Sequence, residues 1–363
     1  MAHHHHHAPR ILFILKRRED YHHHHSYSHQ GVSTGLWNSA NFVSSMLNRN
    51  GITSKVIQVT DNNDIDREVT KFKPTHVIIE ALWVVPEKFG MLVPLHPNVE
   101  WIVRLHSEVP FIANEGIAMK WIGGYLKYRN VTIAANSKRM LEEARFMIQE
   151  QYSWSDEVVK EKVFYLPNYY DPHMHGEIFK NREAHHHTYV KVGCFGAIRP
   201  LKNHLLQAIT ALKFAKEIDK KLEFHINVGR VEMKGEPILH NLIALFENVK
   251  NEGHKLMMHQ WMPHEQFVDL VKEMDIGMQV TFSETFNIVA ADLVTNDVPV
   301  VLSKEVEWSF PWFHADPTSM KQMLEQLKLA WNYPKLNVKA NKTWLGRFSA
   351  RSEKIWTEYF KPN

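Results

Sequence analysis

The sequence predicts an α/β protein with two doubly wound parallel sheets, and two observations carry this prediction. From Arg10 onward, short β-rich segments alternate with helical stretches, as in a parallel sheet covered by helices. The alternation stops once, in a polar and aperiodic stretch, and then starts again. With 363 residues, the chain is long enough for two domains of ordinary size.

The first predicted domain spans residues 10–172. RILFILK at 10–16 predicts its first strand, and a loop rich in His and Ser precedes a helix that ends near Gly51. Residues 1–9, which begin MAHHHHH, are interpreted as a purification tag and an N-terminal arm. Further strands are predicted at 54–59, 75–82, 100–106, 130–136 and 162–168.

The second predicted domain spans residues 190–345. A linker at 173–189 precedes it, and a terminal helix at 346–363 is expected to return to the first domain. Its strands are predicted at 190–198, 221–228, 254–261, 275–282 and 298–302.

Composition excludes several classes of protein. Hydrophobic residues at 44% and charged residues at 23% are typical of a globular protein, not of a disordered or fibrous one. A net charge of +3 is too small to indicate nucleic-acid binding by itself, and no apolar run is long enough for a transmembrane segment. The single cysteine, Cys194, fits a reducing compartment, so we expect a cytoplasmic protein.

The segment SETFNIVAADLVTNDVPVVLS, residues 283–303, carries the strongest indication of a site. Glu284 follows a predicted buried strand, and a helix predicted to begin near Phe286 carries Asp292 about two turns further on. Free N–H groups at a helix start attract phosphate, and a carboxylate deeper in the helix can accept hydrogen bonds from a ribose. The order of strand, acid and helix therefore predicts a nucleotide site.

This segment resembles the E-x7-E element of retaining glycosyltransferases of the GT-B fold, specifically the family 4 or "group 1" type. The chain has E-T-F-N at 284–287, Asp292 in place of the second Glu, and D-V-P-V-V at 297–301. FGAIRPLKN, 195–203, is similar to the family's diphosphate-binding element. There Lys202 matches the lysine, while Ala197 occupies the arginine position and Arg199 lies two residues on.

Other parts of the chain resemble the same family in the same order. RLHSEVP places His106 at a strand end where the family has a sugar-contacting histidine. The segment IDREVTKFKPTHVIIEALW is also similar to glycosyltransferase-like proteins of tailed phages. The remaining matches are AANSKRMLEE (134–143), LPNYYD (166–171) and RFSARSEKIWTEYF (347–360).

The resemblance implies two Rossmann-like domains facing across a cleft and transfer of a sugar, with retention, from a nucleotide-diphosphate-sugar. It implies no metal and no cofactor, since the nucleotide-sugar is a co-substrate. Glu284, His106 and Lys202 are the implied catalytic residues, and Asp292 is expected to hold the ribose. The implied donor-binding set is completed by Arg199, Thr285, Phe286, Asn287, Gly229, Arg230, Trp261 and Met262.

The loop at 16–35 leaves the first strand on the expected acceptor side. Its cations suggest an anionic acceptor, such as DNA, a lipid phosphate or a polysaccharide, although a solvated charge run is the more common explanation of such a cluster. Its glycines would let backbone approach a substrate closely. The candidate acceptor-side residues are Lys16, Arg17, Arg18, Gly31 and Gly35.

Three other motifs and two other functions stay open at this stage. The D-x-D form at 64–66 could bind a metal, but its context favours a turn and a helix cap. The histidine clusters at 22–25 and 185–187 lack the mixed spacing of a zinc site. WSFPWF at 308–313 could stack on a ligand or pack in a core. A nucleotide-sugar epimerase of the same fold and a non-catalytic nucleotide or sugar-binding protein are the alternative functions.

Overall fold

The computed structural model describes residues 8–17, 34–171, 188–232 and 234–361. The chain divides into two compact units. The first comprises Met1–Tyr170 with Ser349–Asn363, and the second comprises Asp171–Phe348. Each unit is built around one parallel sheet.

The first unit contains a six-stranded parallel sheet in the order β2-β1-β3-β4-β5-β6. Its strands form because runs of apolar residues are buried between two layers of helices, so β1 and β3 are covered on both faces. The strands are β1 (Arg10–Lys16), β2 (Thr53–Val59), β3 (His76–Glu80), β4 (Glu100–Leu105), β5 (Val131–Ala135) and β6 (Val163–Tyr165). The helices are α1 (Thr34–Arg49), α2 (Ile65–Phe72), α3 (Phe89–Leu95), α4 (Val109–Ile112), α5 (Ala118–Tyr125), α6 (Lys138–Tyr152) and α7 (Asp156–Lys162).

The second unit contains a five-stranded parallel sheet in the order β11-β10-β7-β8-β9. The single cysteine, Cys194, is buried directly after β7. The strands are β7 (Tyr189–Gly193), β8 (Lys221–Asn227), β9 (Lys255–His259), β10 (Ile276–Gln279) and β11 (Val300–Leu302). The helices are α8 (His204–Glu217), α9 (Glu236–Asn248), α10 (His264–Lys272), α11 (Ile288–Thr295), α12 (Met320–Asn332) and α13 (Pro334–Tyr359).

Strand order fixes a switch point in the second sheet. The chain runs from β7 through β8 to β9 on one side, and then continues with β10 and β11 on the other side of β7. The loops that follow β7 and β10 therefore leave the sheet in opposite directions and open a crevice at its carboxyl edge. Ligands of open α/β sheets bind at this position.

The last helix contributes side chains to both units. In the second unit, Asn337 brackets β11 by accepting from the N–H of Val300 at 2.9 Å and donating to its carbonyl at 2.8 Å. In the first unit, the indole of Trp356 donates to the carbonyl of Pro167 at 2.7 Å. The division between the units lies within this helix, between Phe348 and Ser349.

All eleven predicted strands are present, but several of their ends are not where the sequence placed them. β7 ends at Gly193 instead of residue 198, and the chain turns at Gly196, whose φ is +110°. The helix expected near Phe286 begins at Ile288. Gly35 was predicted in a loop, and this was wrong, because it lies in the first turn of α1, whose apolar side packs on the sheet.

No helix in the described ranges combines the length and the apolar character needed to cross a lipid bilayer.

Candidate functional site

Lys202 and Glu284 meet at the switch point of the second sheet. Lys202 ends a 3-10 turn after β7, Glu284 lies in the loop after β10, and the Lys202 Nζ to Glu284 Oε2 distance is 2.6 Å. Both side chains are about one-tenth exposed, at 11% and 10%. Burial lowers the pKa of the Lys202 amine, while the Glu284 carboxylate opposes this shift. The two residues that the sequence singled out therefore form one ion pair at the carboxyl edge of the sheet.

Asn287 holds the loop that carries Glu284. Its backbone is left-handed, with φ of +59°, and its side chain caps α11 by accepting from the N–H of Ala290 at 2.9 Å. Its amide nitrogen donates to Gln279 Oε1 at 2.9 Å and to Glu284 Oε2 at 3.2 Å. Because Gln279 in turn donates to the carbonyl of Phe195 at 2.7 Å, the loops after β7 and β10 are fixed to each other.

Two arginines share one carboxylate beside this pair. Arg199 lies 3.4 Å from Glu232, measured from Nη1 to Oε2, and Arg230 pairs with the other oxygen of Glu232. Parallel bridging of Ile198 with Val231 brings the two segments together. Arg199 thus adds a second cation, beside Lys202, to the loop after β7.

Gly229 allows a close approach of two strand ends. A Cβ atom at Gly229 would lie 2.7 Å from the backbone nitrogen of Trp261, a distance that real Cβ atoms do not reach. Trp261 and Met262 follow β9 and are partly buried. A shallow cavity of about 480 Å³ adjoins this region, lined by Val231, Glu232, Lys234, Gly235, Glu236 and Pro237.

The remaining donor-side residues are more deeply buried than the sequence suggested. Phe286 is only 2% exposed, its ring packs near Trp308 and Phe348, and its carbonyl accepts from the Trp308 indole at 2.6 Å. Thr285 is buried as well. The sequence placed both residues in the donor-binding set, and the structure buries both side chains.

Asp292, in α11, is paired with a histidine. Its Oδ2 lies 3.1 Å from Nε2 of His264, the first residue of α10. The hydrogen bond from His264 to Asp292 is the main reason that the pKa of His264 is raised. No motif in the sequence pointed to His264, because 28 residues separate it from its partner.

The carboxyl edge of the first sheet carries a second polar cluster, of which the sequence predicted only His106. Arg104 donates from Nη1 to both oxygens of Glu80, at 3.0 and 3.2 Å, and Nε2 of His106 pairs with the same carboxylate. Both Glu80 and Arg104 are fully buried. Burial alone raises the pKa of Glu80, but Arg104 and His106 outweigh it, so the carboxyl stays ionised.

Two asparagines close this cluster. Arg104 Nη2 donates to Asn168 Oδ1 at 2.6 Å, and Asn136 donates to the same oxygen at 3.2 Å. Asn136 Nδ2 also lies 3.4 Å from His106 Nδ1. Burial lowers the pKa of His106 and favours its neutral form. One signal could have revealed the cluster: Glu80 ends β3, and the two asparagines follow β5 and β6.

The acceptor-side residues are only partly visible. Lys16 ends β1, and the N–H of Arg17 donates to the carbonyl of Val59 at 2.7 Å. Arg18 and Gly31 lie outside the described residues, as do the histidine clusters at 22–25 and 185–187.

The D-x-D segment at 64–66 lies at a turn and a helix start, as its context predicted. Asp61 and Asp64 form a reciprocal capping box at the start of the turn before α2, and Asp66 pairs with His96 at 2.6 Å. Among the residues that the structure describes, no group of three or more His, Cys, Asp or Glu side chains is placed to hold a metal ion. WSFPWF divides: Trp308 is buried in a core, while Trp312 is 74% exposed.

Comparison with solved structures identifies the fold. A trehalose-6-phosphate structure from E. coli with bound UDP-2-fluoro glucose matches with a TM-score of 0.68 and 9% identity, over 97% of this chain and 99% of that one. A UDP-forming α,α-trehalose-phosphate synthase from Burkholderia xenovorans matches at 0.66 and 11%, over 96% and 97%. A trehalose-6-phosphate synthase studied for glycosyl transfer with retention matches at 0.63 and 10%, over 83% and 77%.

The chain has the GT-B fold. Its two parallel-sheet α/β units match the first two of these structures over nearly their whole length, which confirms the predicted fold class. No protein-family model matches the sequence, and no curated protein matches it either. The predicted domain boundaries and the predicted cleft between the domains stay predictions.

Proposed function

We propose that this chain is a retaining glycosyltransferase that moves a sugar from a nucleotide-diphosphate-sugar to a hydroxyl acceptor. One observation carries the proposal: the Lys202–Glu284 ion pair lies at the switch point of a nucleotide-type sheet, in a GT-B fold. The neighbours with UDP in their names support the donor class, and the neighbour studied for transfer with retention supports the stereochemical outcome.

Cations are needed because negative charge develops on the diphosphate as the glycosidic bond breaks. Lys202 and Arg199 are the nearest candidates, and both are neutralised by carboxylates in the structure described here. A bound diphosphate would take over Lys202 from Glu284, which would release that carboxylate to hold hydroxyls of the sugar. The departing phosphate would then help to deprotonate the acceptor on the same face of the sugar.

The acceptor is proposed to be anionic. The neighbours are named for a phosphorylated product, so a sugar phosphate joins DNA, a lipid phosphate and a polysaccharide as acceptors to be tested. Membership of the family 4 type and the likeness to tailed-phage proteins belong to the same proposal, as do the predicted sugar contact of His106 and activity without a metal or cofactor.

Nucleotide release tests the proposal. Purified protein is incubated with UDP-, GDP- and ADP-sugars, with and without a sugar phosphate, hydroxymethylated DNA, a lipid phosphate or an anionic polysaccharide, and free nucleotide is measured. We expect release with one donor and transfer with an axial-to-axial or equatorial-to-equatorial outcome by NMR. Glu284→Gln should lower turnover at least about 100-fold.

Glu325→Gln is the matched control, since Glu325 is exposed on α12 in the same unit. Conversion of the donor sugar to its epimer without transfer would support the epimerase instead. Nucleotide binding without turnover, or no binding at all, would refute the transferase.

A further inference from the structure

Asp292 and His264 form a pair in which the imidazole, and not the carboxylate, meets solvent. The Asp292 side chain is 3% exposed, and that of His264 is 24% exposed. The carboxylate is therefore buried, and the ring that it binds is the more exposed member of the pair. An Asp side chain is also one methylene shorter than the Glu that the family pattern places at this position.

The pairing fixes which nitrogen of the ring is available. Nε2 of His264 faces Asp292 Oδ2 and donates its proton there, because an ionised carboxylate is acceptor-only. Nδ1 is then the polar atom of the ring that remains for a ligand. In the neutral ring it accepts a hydrogen bond from a hydroxyl, and in the protonated ring it donates one to an oxygen.

The location of His264 suits a nucleotide. It is the first residue of α10, which starts at the carboxyl end of β9, three residues after Trp261. Trp261 is the residue against which Gly229 closes, and Asp292 lies in the same helix that Asn287 caps beside Glu284. The ring thus lies among segments that carry the predicted donor-binding residues.

We propose that His264, oriented by Asp292, is the residue that hydrogen-bonds a ribose hydroxyl of the nucleotide. This rests on the proposed function, because it assumes a nucleotide at the second sheet. His264 is a ligand-contacting residue, and Asp292 is a positioning residue that acts through it. The family's single carboxylate is replaced here by a carboxylate–imidazole pair.

Deoxynucleotides provide the sharpest test. UDP, GDP and ADP are titrated into the full-length protein by calorimetry, and the one that binds is compared with its 2′-deoxy and 3′-deoxy forms. The wild type should prefer the ribonucleotide over one deoxy form about tenfold, the scale of one hydrogen bond to a hydroxyl. In His264→Ala this preference should fall to about onefold, while affinity for the deoxy form stays unchanged.

Asp292→Asn separates positioning from contact. The asparagine still accepts from Nε2 but carries no charge, so the pKa of His264 should fall. The midpoint of the pH dependence of ribonucleotide affinity should fall with it. Asp292 and Glu265 are the charged groups that act on His264, so Glu265→Gln should move it less. His240→Ala on α9 is the matched control, because His240 is exposed in the same unit, and it should leave every value unchanged.

The outcomes separate the two proposals. If the wild type binds a nucleotide but His264→Ala keeps the full preference for ribose, the inference is wrong, while the proposed function is decided by the turnover assay. If the wild type binds none of the three nucleotides, both are wrong. His264→Gln, with its fold checked by thermal unfolding, repeats the test if the alanine variant is unstable.

Discussion

The two sheets carry polar clusters of different kinds at their carboxyl edges. In the first sheet, Glu80 and Arg104 are fully buried, and each finds its partners within one closed network. In the second sheet, Lys202 and Glu284 form a pair that is about one-tenth exposed. A sealed network can hold a neighbouring residue such as His106 in place, whereas an accessible pair can exchange its partner for a ligand.

The largest effect should come from breaking the sealed network. Arg104→Met leaves the Glu80 charge buried without its main partner, which should lower the free energy of unfolding by about 3–5 kcal/mol. Urea unfolding measures this. Lys354→Met is the control, since its pairing with Glu358 at 4.0 Å is exposed and should matter by less than about 0.5 kcal/mol. Equal effects of the two variants would remove the distinction between the clusters.

Replacing a cation by methionine at the edge of the second sheet should affect turnover more than stability. Lys202→Met removes the cation expected to face the leaving diphosphate, so turnover should fall about 100- to 1000-fold. Its effect on unfolding should be smaller than that of Arg104→Met, because Glu284 retains access to water. Lys213→Met, at an exposed position of α8, is the control. If Lys202→Met unfolds the protein as readily as Arg104→Met, the pair at the second sheet is structural.

Backbone packing at the second edge gives a smaller effect. Gly229→Ala would force its Cβ against the backbone of Trp261, so we expect a loss of about 1–3 kcal/mol in unfolding free energy and weaker nucleotide binding. At Gly116 nothing lies within 4 Å of such a Cβ, and Gly116→Ala should stay within about 0.5 kcal/mol. A neutral Gly229→Ala would show that Trp261 is free to move away.

The stability of the second unit should depend on pH through the buried His204. Burial lowers the pKa of His204, directly after the Lys202 turn, to about 3. A folded pKa below the unfolded value near 6.5 means stability that is complete above pH 6.5 and is lost as pH falls, by about 1.4 kcal/mol per unit. In His204→Leu the free energy of unfolding, measured in urea from pH 7 downward, should fall less steeply with pH than in the wild type. In His240→Leu its slope should stay unchanged. Equal slopes for the wild type and His204→Leu would show that burial of His204 does not contribute to the loss of stability in acid.

The sequence predicted the sheets well because buried parallel strands are continuous local runs of apolar residues. It also singled out Glu284, which follows a predicted strand, and Lys202, which matches the lysine of the element that 195–203 resembles. It missed the partners that only folding brings together: Glu80 and Arg104 are 24 residues apart. His264 was missed for the same reason.

Local conformation accounts for two features of the predicted donor segments. The backbone of Asp297 is left-handed, with φ of +63°, a conformation that Asp tolerates better than most residues. Its carboxylate also pairs with Lys342 on α13. The bridge between Ile198 and Val231 brings Arg199 next to Arg230 and Glu232.

The buried cysteine after β7 offers a direct view of how the second unit opens. Burial raises the pKa of the Cys194 thiol to about 12, so the folded protein holds it as an unreactive thiol. Since the chain has one cysteine, any alkylation by a thiol reagent reports on that position alone. The rate of labelling in native buffer therefore reports how often the strand that leads to Lys202 opens transiently. A bound nucleotide should lower that rate.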